Sequence, residues 1–229
     1  DTHAGAGMYD LKSPLASKNN EHIDGIDSLK NIPKPPIALK SYLKFAEQAK
    51  KQRANSYPGS PWFAAQVLRT QDQATLFEMH PKDFSLLTNL FSGNKRVRVK
   101  QADGYQSLKS LFPPPSRRAI TLIDPPYEQE KEYQSVIQTL KDGISRFNTG
   151  TYIVWYPLIN RANTTKNKAA EKMLKQIKSL FKQEQLHTQF ILDKDQKGMY
   201  GSGLAIINPP WGLKEQLQEA LTFLCAMDD

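Results

Sequence analysis

Apolar residues in this 229-residue chain follow two spacings that alternate along most of its length. Runs such as AITLI at 119–123 and TYIVWY at 151–156 are short, rich in β-branched and aromatic residues, and bounded by turn-forming residues. They read as strands buried on both faces. Between them, apolar residues recur every three or four positions, as in helices that bury one face. The first part of this pattern predicts a helix at 61–71 with Ser60 as N-cap and Pro61 at its first position, a strand at 75–78 and a helix at 82–91. A strand at 96–100, a helix at 104–111, a strand at 119–124 and a helix at 129–147 follow. A strand at 151–156, a helix at 165–182, strands at 186–193 and 203–208, and a helix at 212–226 complete the order. Strands alternating with helices predict an α/β fold around a mostly parallel twisted sheet covered on both faces. The last two strands lack a helix between them, so they are expected to pair antiparallel, the last one reversed.

Residues 8–56 carry helix-like spacing, as in Ile37, Leu39, Tyr42, Leu43, Phe45 and Ala46, interrupted by Pro33, Pro35 and Pro36. Residues 14–56 are therefore expected to form a small helical insertion, with 1–13 and 57–229 making up the main domain. The chain opens on a glycine-rich DTHAGAG with no strand before it, which reads as the middle of a domain. A preceding N-terminal segment is expected to be missing.

Composition narrows the partners. Lys and Arg number 31 against 23 Asp and Glu, a net charge of +8 that suits a polyanionic partner. Basic residues cluster at Lys95–Lys100, at Arg117-Arg118, and as six lysines between Lys166 and Lys182, the last group reading as the solvated face of a helix. No apolar run approaches the ~18 residues of a membrane helix, and no signal-peptide pattern opens the chain, so a cytoplasmic protein without a membrane partner is expected. The lone Cys225 excludes an internal disulfide, and the four histidines lack metal-ligand spacing, so no metal is expected.

In sheets of this type ligands sit beyond the carboxyl ends of the strands. Several chemically notable residues fall at such ends: Asp1 through Gly7, Glu78, Asp103-Gly104 and Asp124. Gly5 and Gly7 let backbone approach a ligand closely. Glu78 can accept bonds from ribose hydroxyls or serve the helix that opens at Pro81. Asp103 can cap the helix at 104–111 or accept a bond from an adenine amino group. After strand 119–124 the chain reads Asp124-Pro125-Pro126-Tyr127. Two prolines hold nearby carbonyls in fixed directions, Asp124 adds an acceptor, and Tyr127 offers a ring face. Two acceptors and a stacking ring suit a flat heterocycle with an exocyclic NH2, extruded from its stack.

DPPY at 124–127 after a glycine-rich loop resembles the S-adenosylmethionine-dependent amino-methyltransferases, in the motif order of the N6-adenine type. With YPGSP at 57–61, EMHP at 78–81, ADG at 102–104, SRR at 116–118, GTYIVWYP at 150–157 and INPPW at 207–211, nearly the whole chain resembles the RlmJ family. That resemblance implies a Rossmann-like class I methyltransferase fold and methyl transfer from S-adenosyl-L-methionine to N6 of an adenine in 23S ribosomal RNA. It also implies cofactor contacts from His3, Ser60, Glu78, Asp103 and Gly104 beside Gly5 and Gly7. Asp124 would serve both cofactor and chemistry, with Pro125 and Tyr127 completing the catalytic set. A monomer is expected. Asn208-Pro209-Pro210-Trp211 has the same tetrapeptide form but follows the final reversed strand. It reads as structural or as a wall near the target base. The alternatives are a DNA adenine-N6 methyltransferase and a non-catalytic RNA-binding protein with this fold.

Overall fold

The computed structural model describes residues 1–13, 25–26, 28–160, 168–192 and 198–227. They divide into two compact units, Asp1–His3 with Ala102–Trp211, and Ala4–Gln101 with Gly212–Asp229.

The first unit is built on a four-stranded sheet. Its strands are β5 (Ile120–Ile123), β6 (Thr151–Asn160), β7 (Gln185–Ile191) and β8 (Gly198–Ile207), in the order β5-β6-β8-β7. β5 and β6 are parallel, and β8 runs antiparallel to both β6 and β7. The reversed strand is thus last in sequence, as expected, but central in the sheet. Helices α5 (Lys131–Arg146) and α6 (Ala169–Leu180) cover the sheet. Val136, Leu140, Met173 and Ile177 bury their apolar stripes against Ile123, Tyr152, Val154 and Ala205. A short helix α4 (Gly104–Ser107) runs into a 3-10 turn at Leu108–Leu111.

The second unit holds two small sheets. β3 (Ala74–Phe77) and β4 (Val97–Lys100) are parallel, with helix α3 (Pro81–Leu90) in the crossover. Ala4, Leu76, Leu87 and Phe91 form its core. β1 (Met8–Asp10) and β2 (Ser56–Pro58) pair antiparallel, a ribbon where only helical spacing was expected. Between them in sequence lies the long helix α1 (Ile37–Gln52), whose Ala49 packs with Met8 and Trp62. The helix after β2, α2 (Ser60–Val67), is capped by Gly59, not Ser60, which is its first residue. The final helix is α7 (Leu213–Cys225). Residues 165–167 and 193, expected in a helix and a strand, and most of 14–27 lie outside the described residues. No helix among the described residues is long and apolar enough to cross a membrane.

Candidate active site

In the first unit the candidate residues gather where β5 ends. Residues 1–3 lie along that strand: the Thr2 amide donates to the Leu122 carbonyl at 3.1 Å and its hydroxyl to the same oxygen at 3.2 Å. Thr2 Oγ1 also lies 2.8 Å from His3 Nδ1, and the tautomer of the ring decides which of the two donates. Burial pushes the His3 pKa down to about 4, against the opposing pull of the Asp103 carboxylate, so the ring is neutral at physiological pH. Its edge meets the Tyr105 ring with centroids 4.5 Å apart.

Asp103 does cap α4: its Oδ1 accepts from the amides of Tyr105 at 2.8 Å and Gln106 at 3.3 Å. These bonds use one of its two oxygens. Gly104 is required where it stands, because a Cβ there would lie 2.0 Å from the Thr2 carbonyl oxygen. The two segments of the DTH and ADG motifs therefore touch backbone to backbone, which only glycine permits.

Asp124 follows directly on β5 and is largely buried, and desolvation lifts its pKa from 3.8 to about 6. Pro125 is buried behind it while Pro126 faces solvent. Tyr127 departs from the sequence reading. It takes a left-handed backbone conformation with φ of 52° and sends its ring inward, where it is 2% exposed. The ring packs on Tyr133 with centroids 4.5 Å apart, and the hydroxyl donates to the Trp155 carbonyl of β6 at 2.7 Å. Tyr127 thus offers no free face for a base in this structure; it pins the turn after β5 to the neighbouring strand. The buried hydroxyls of Tyr105 and Tyr133 have no hydrogen-bond partner.

In the second unit the glycine loop meets the end of β3. Ala4 N donates to the Phe77 carbonyl at 2.9 Å, and Gly5 N to Glu78 Oε2 at 2.8 Å. The other carboxylate oxygen of Glu78 accepts from His80 N at 2.7 Å. Gly5 and Gly7 have φ of 61° and 72°, a left-handed geometry that side chains rarely adopt. Ser60 is half-buried at the start of α2. Glu78 therefore closes the glycine loop and serves the entrance to α3, while each oxygen retains lone-pair capacity for a further donor.

The tetrapeptide at 208–211 leaves the sheet level with the start of β5, at the other end of that strand from Asp124. Register pairs Ile207 with Tyr152 at the start of β6, whereas Asp124 follows Ile123, which pairs with Val154. The reading of this segment as a wall near the target base is thereby corrected, and its structural reading stands. Thr2, Tyr105, Tyr133 and Trp155 were not singled out from the sequence. Tyr105 alone carried a signal, since it follows Asp103-Gly104 directly.

The sequence matches the family described as "Ribosomal RNA large subunit methyltransferase D, RlmJ" over residues 1–227. The chain belongs to this family. The ribosomal RNA large subunit methyltransferase J of Escherichia coli is 38% identical over 227 residues, covering 98% of this chain and 79% of that protein. The enzyme of the same name from Haemophilus influenzae is 38% identical over 228 residues, with the same coverage. A crystal structure of a Legionella pneumophila protein, 33% identical, superposes with a TM-score of 0.84 over 98% of this chain and 81% of that one. S-adenosylmethionine is the methyl donor of RlmJ-family enzymes. The fold is accordingly the Rossmann-like class I methyltransferase type.

Proposed function

We propose that this chain transfers a methyl group from S-adenosylmethionine to N6 of an adenine in 23S ribosomal RNA, acting as a monomer in the cytoplasm. The observation that carries the reading is Asp124: a largely buried carboxylate at a strand's carboxyl end, on a turn held by the Tyr127 hydroxyl.

The donor set fits the cofactor. Asp103 has an oxygen beyond its cap, Glu78 has lone pairs beyond its two amides, and the Tyr105 hydroxyl is buried without a partner. Gly5 and Gly7 leave backbone bare. In the first unit His3, Asp103 and Gly104 would contact the cofactor; of the second unit, Gly5, Gly7, Ser60 and Glu78 are the proposed contacts. When bound, it supplies an electrophilic methyl on a sulfonium.

The residues of the chain do the rest. The adenine amine is a poor nucleophile because its lone pair is delocalised into the ring. Ionised Asp124 accepts one N6–H, and the Pro125 carbonyl accepts the other. Both bonds strengthen as positive charge develops on N6, so they favour the transition state over the ground state. After transfer, the methylated amine is acidic enough to lose its proton to solvent or to Asp124. His3, neutral at physiological pH, would bring no positive charge to the cationic cofactor. No metal takes part in this scheme.

A methylation assay with labelled cofactor on protein-free ribosomal RNA and on duplex DNA tests the reading. Label in N6-methyladenine of 23S RNA is expected; preferential labelling of DNA would overturn it, and the family match speaks against that alternative.

A further inference from the structure

We infer that the end of the β5-β6-β8-β7 sheet where β5 begins, opposite the Asp124 end of that strand, carries a second RNA contact, centred on Trp211, which binds a single-stranded segment away from the target base. The inference rests on the RNA-methyltransferase reading above. It starts from an exposure that is unusual for tryptophan: the Trp211 side chain is 100% exposed.

Its backbone, by contrast, is tightly fixed. Asn208 has φ of 53°, and its Nδ2 donates to the carbonyls of Asn148 and Gly150, each at 2.8 Å. The Thr151 hydroxyl donates to the Asn208 carbonyl at 2.8 Å, and the Asn208 amide donates to Glu184 O at 2.9 Å. Pro209 and Pro210 then restrict φ over the two residues before the ring. A large apolar ring held out on a stiff strut, with both faces open, is suited to stacking with a flat partner.

The same end gathers positive charge. Arg117 and Arg118 are exposed just before β5, on a turn closed by the Arg117 amide to Pro114 O at 2.9 Å and the Ser116 hydroxyl to Arg118 O at 2.8 Å. Arg146 ends α5 four residues before Gly150, and Lys182 precedes β7; both are exposed. Against these four cations stands the exposed carboxylate of Glu184. Phosphates satisfy the guanidinium and ammonium groups, and bases stack on an aromatic ring without regard to sequence. An acidic protein would satisfy the charges but has no special use for the open ring faces. Six residues of extended chain separate Arg118 from Asp124, on the order of 20 Å. One base cannot reach both ends, so the contact serves a different part of the RNA. This gives weight to an arginine pair that its distance from the catalytic turn would otherwise discount.

The test uses the intact chain and its Trp211→Ala variant, with a labelled oligouridylate RNA as probe. Anisotropy titration should show binding weakened about 5- to 100-fold by loss of one stacking platform. Oligouridylate should also quench tryptophan emission in the parent chain and do so far less in the variant, since Trp62 is buried and Trp155 is half-buried on β6. The Arg117→Glu/Arg118→Glu double variant should weaken binding and flatten its salt dependence. Cofactor affinity by calorimetry should be unchanged in every variant. Equal affinity and equal quenching in parent and Trp211→Ala would overturn the proposal, as would parent self-association abolished by that substitution, which would make the surface a contact between copies. If the parent binds and quenches as expected yet methylates no ribosomal RNA, it is the functional reading that fails.

Discussion

A carboxyl group moved from water to the position of Asp124 ionises less readily, which is why its pKa rises from 3.8 to about 6. Between those values the folded protein holds a proton that the unfolded chain has released. Stability from this group therefore falls as pH rises from about 4 to 6, and the full cost, on the order of 1–3 kcal/mol, is present at pH 7. Asp124→Asn should accordingly raise the melting temperature of the cofactor-free protein at pH 7 and leave it nearly unchanged at pH 4. The amide oxygen can still accept from N6, so that variant should retain weak activity. Asp124→Ala should lose on the order of 10²–10³ in single-turnover rate. Equal inactivity of the two, with cofactor binding intact, would point to an obligatory proton acceptor. For the parent enzyme, kcat/KM should fall below about pH 6 as Asp124 protonates.

Tyr127 invites a sharper test. If its ring served only as a stacking platform, Tyr127→Phe would be silent. Because its hydroxyl donates to the Trp155 carbonyl, removing it should cost about 1 kcal/mol of stability and lower kcat, with cofactor affinity little changed. Unchanged kcat would show that the turn holds its shape without the hydroxyl bond.

Among the elements, the loop carrying Gly5 and Gly7 depends on one side chain that reaches two others. Glu78 accepts from Gly5 N and His80 N, so Glu78→Ala strands two amides as well as removing a candidate ribose acceptor. Cofactor affinity should drop by about 1.5–3 kcal/mol in isothermal titration, with a modest loss of thermal stability. Unchanged affinity would leave Glu78 a purely structural clamp. The lysine-rich helix is simpler. On α6, Met173 and Ile177 are buried while Lys172, Lys175 and Lys178 are exposed, so those lysines coat a solvated face.

For the whole molecule, a net charge of +8 matters more than any one contact. Neutralising phosphates releases counterions, so activity on ribosomal RNA should fall steeply as salt rises. A broad basic surface with an extruded target base calls for accessible RNA. Protein-free 23S RNA is therefore expected to be methylated faster than assembled large subunits under the same ionic conditions. The reverse order in initial-rate assays would mean that ribosomal proteins form part of the recognised surface.

From α2 onward the sequence alone determined the order of elements, because burial of apolar residues imposes the two periods that mark strands and helices. It also exposed the residues at strand ends, where proline, glycine and carboxylates interrupt those periods. Asp124, Glu78 and Asp103 were legible for that reason, and so was the reversal of the last strand. Pairing was not. β8 begins at Gly198 although Gly201 and Gly203 weaken its strand signal, because β6 and β7 bond to it on both sides. The ribbon of β1 and β2 joins residues nearly fifty positions apart and is too short for a period to register. The direction of the Tyr127 ring was likewise decided only in three dimensions. A left-handed turn and a carbonyl on the neighbouring strand drew inward a ring that the motif alone would leave facing a base. Local spacing records which residues avoid water, but partners distant in the chain decide which strands pair and where a side chain points.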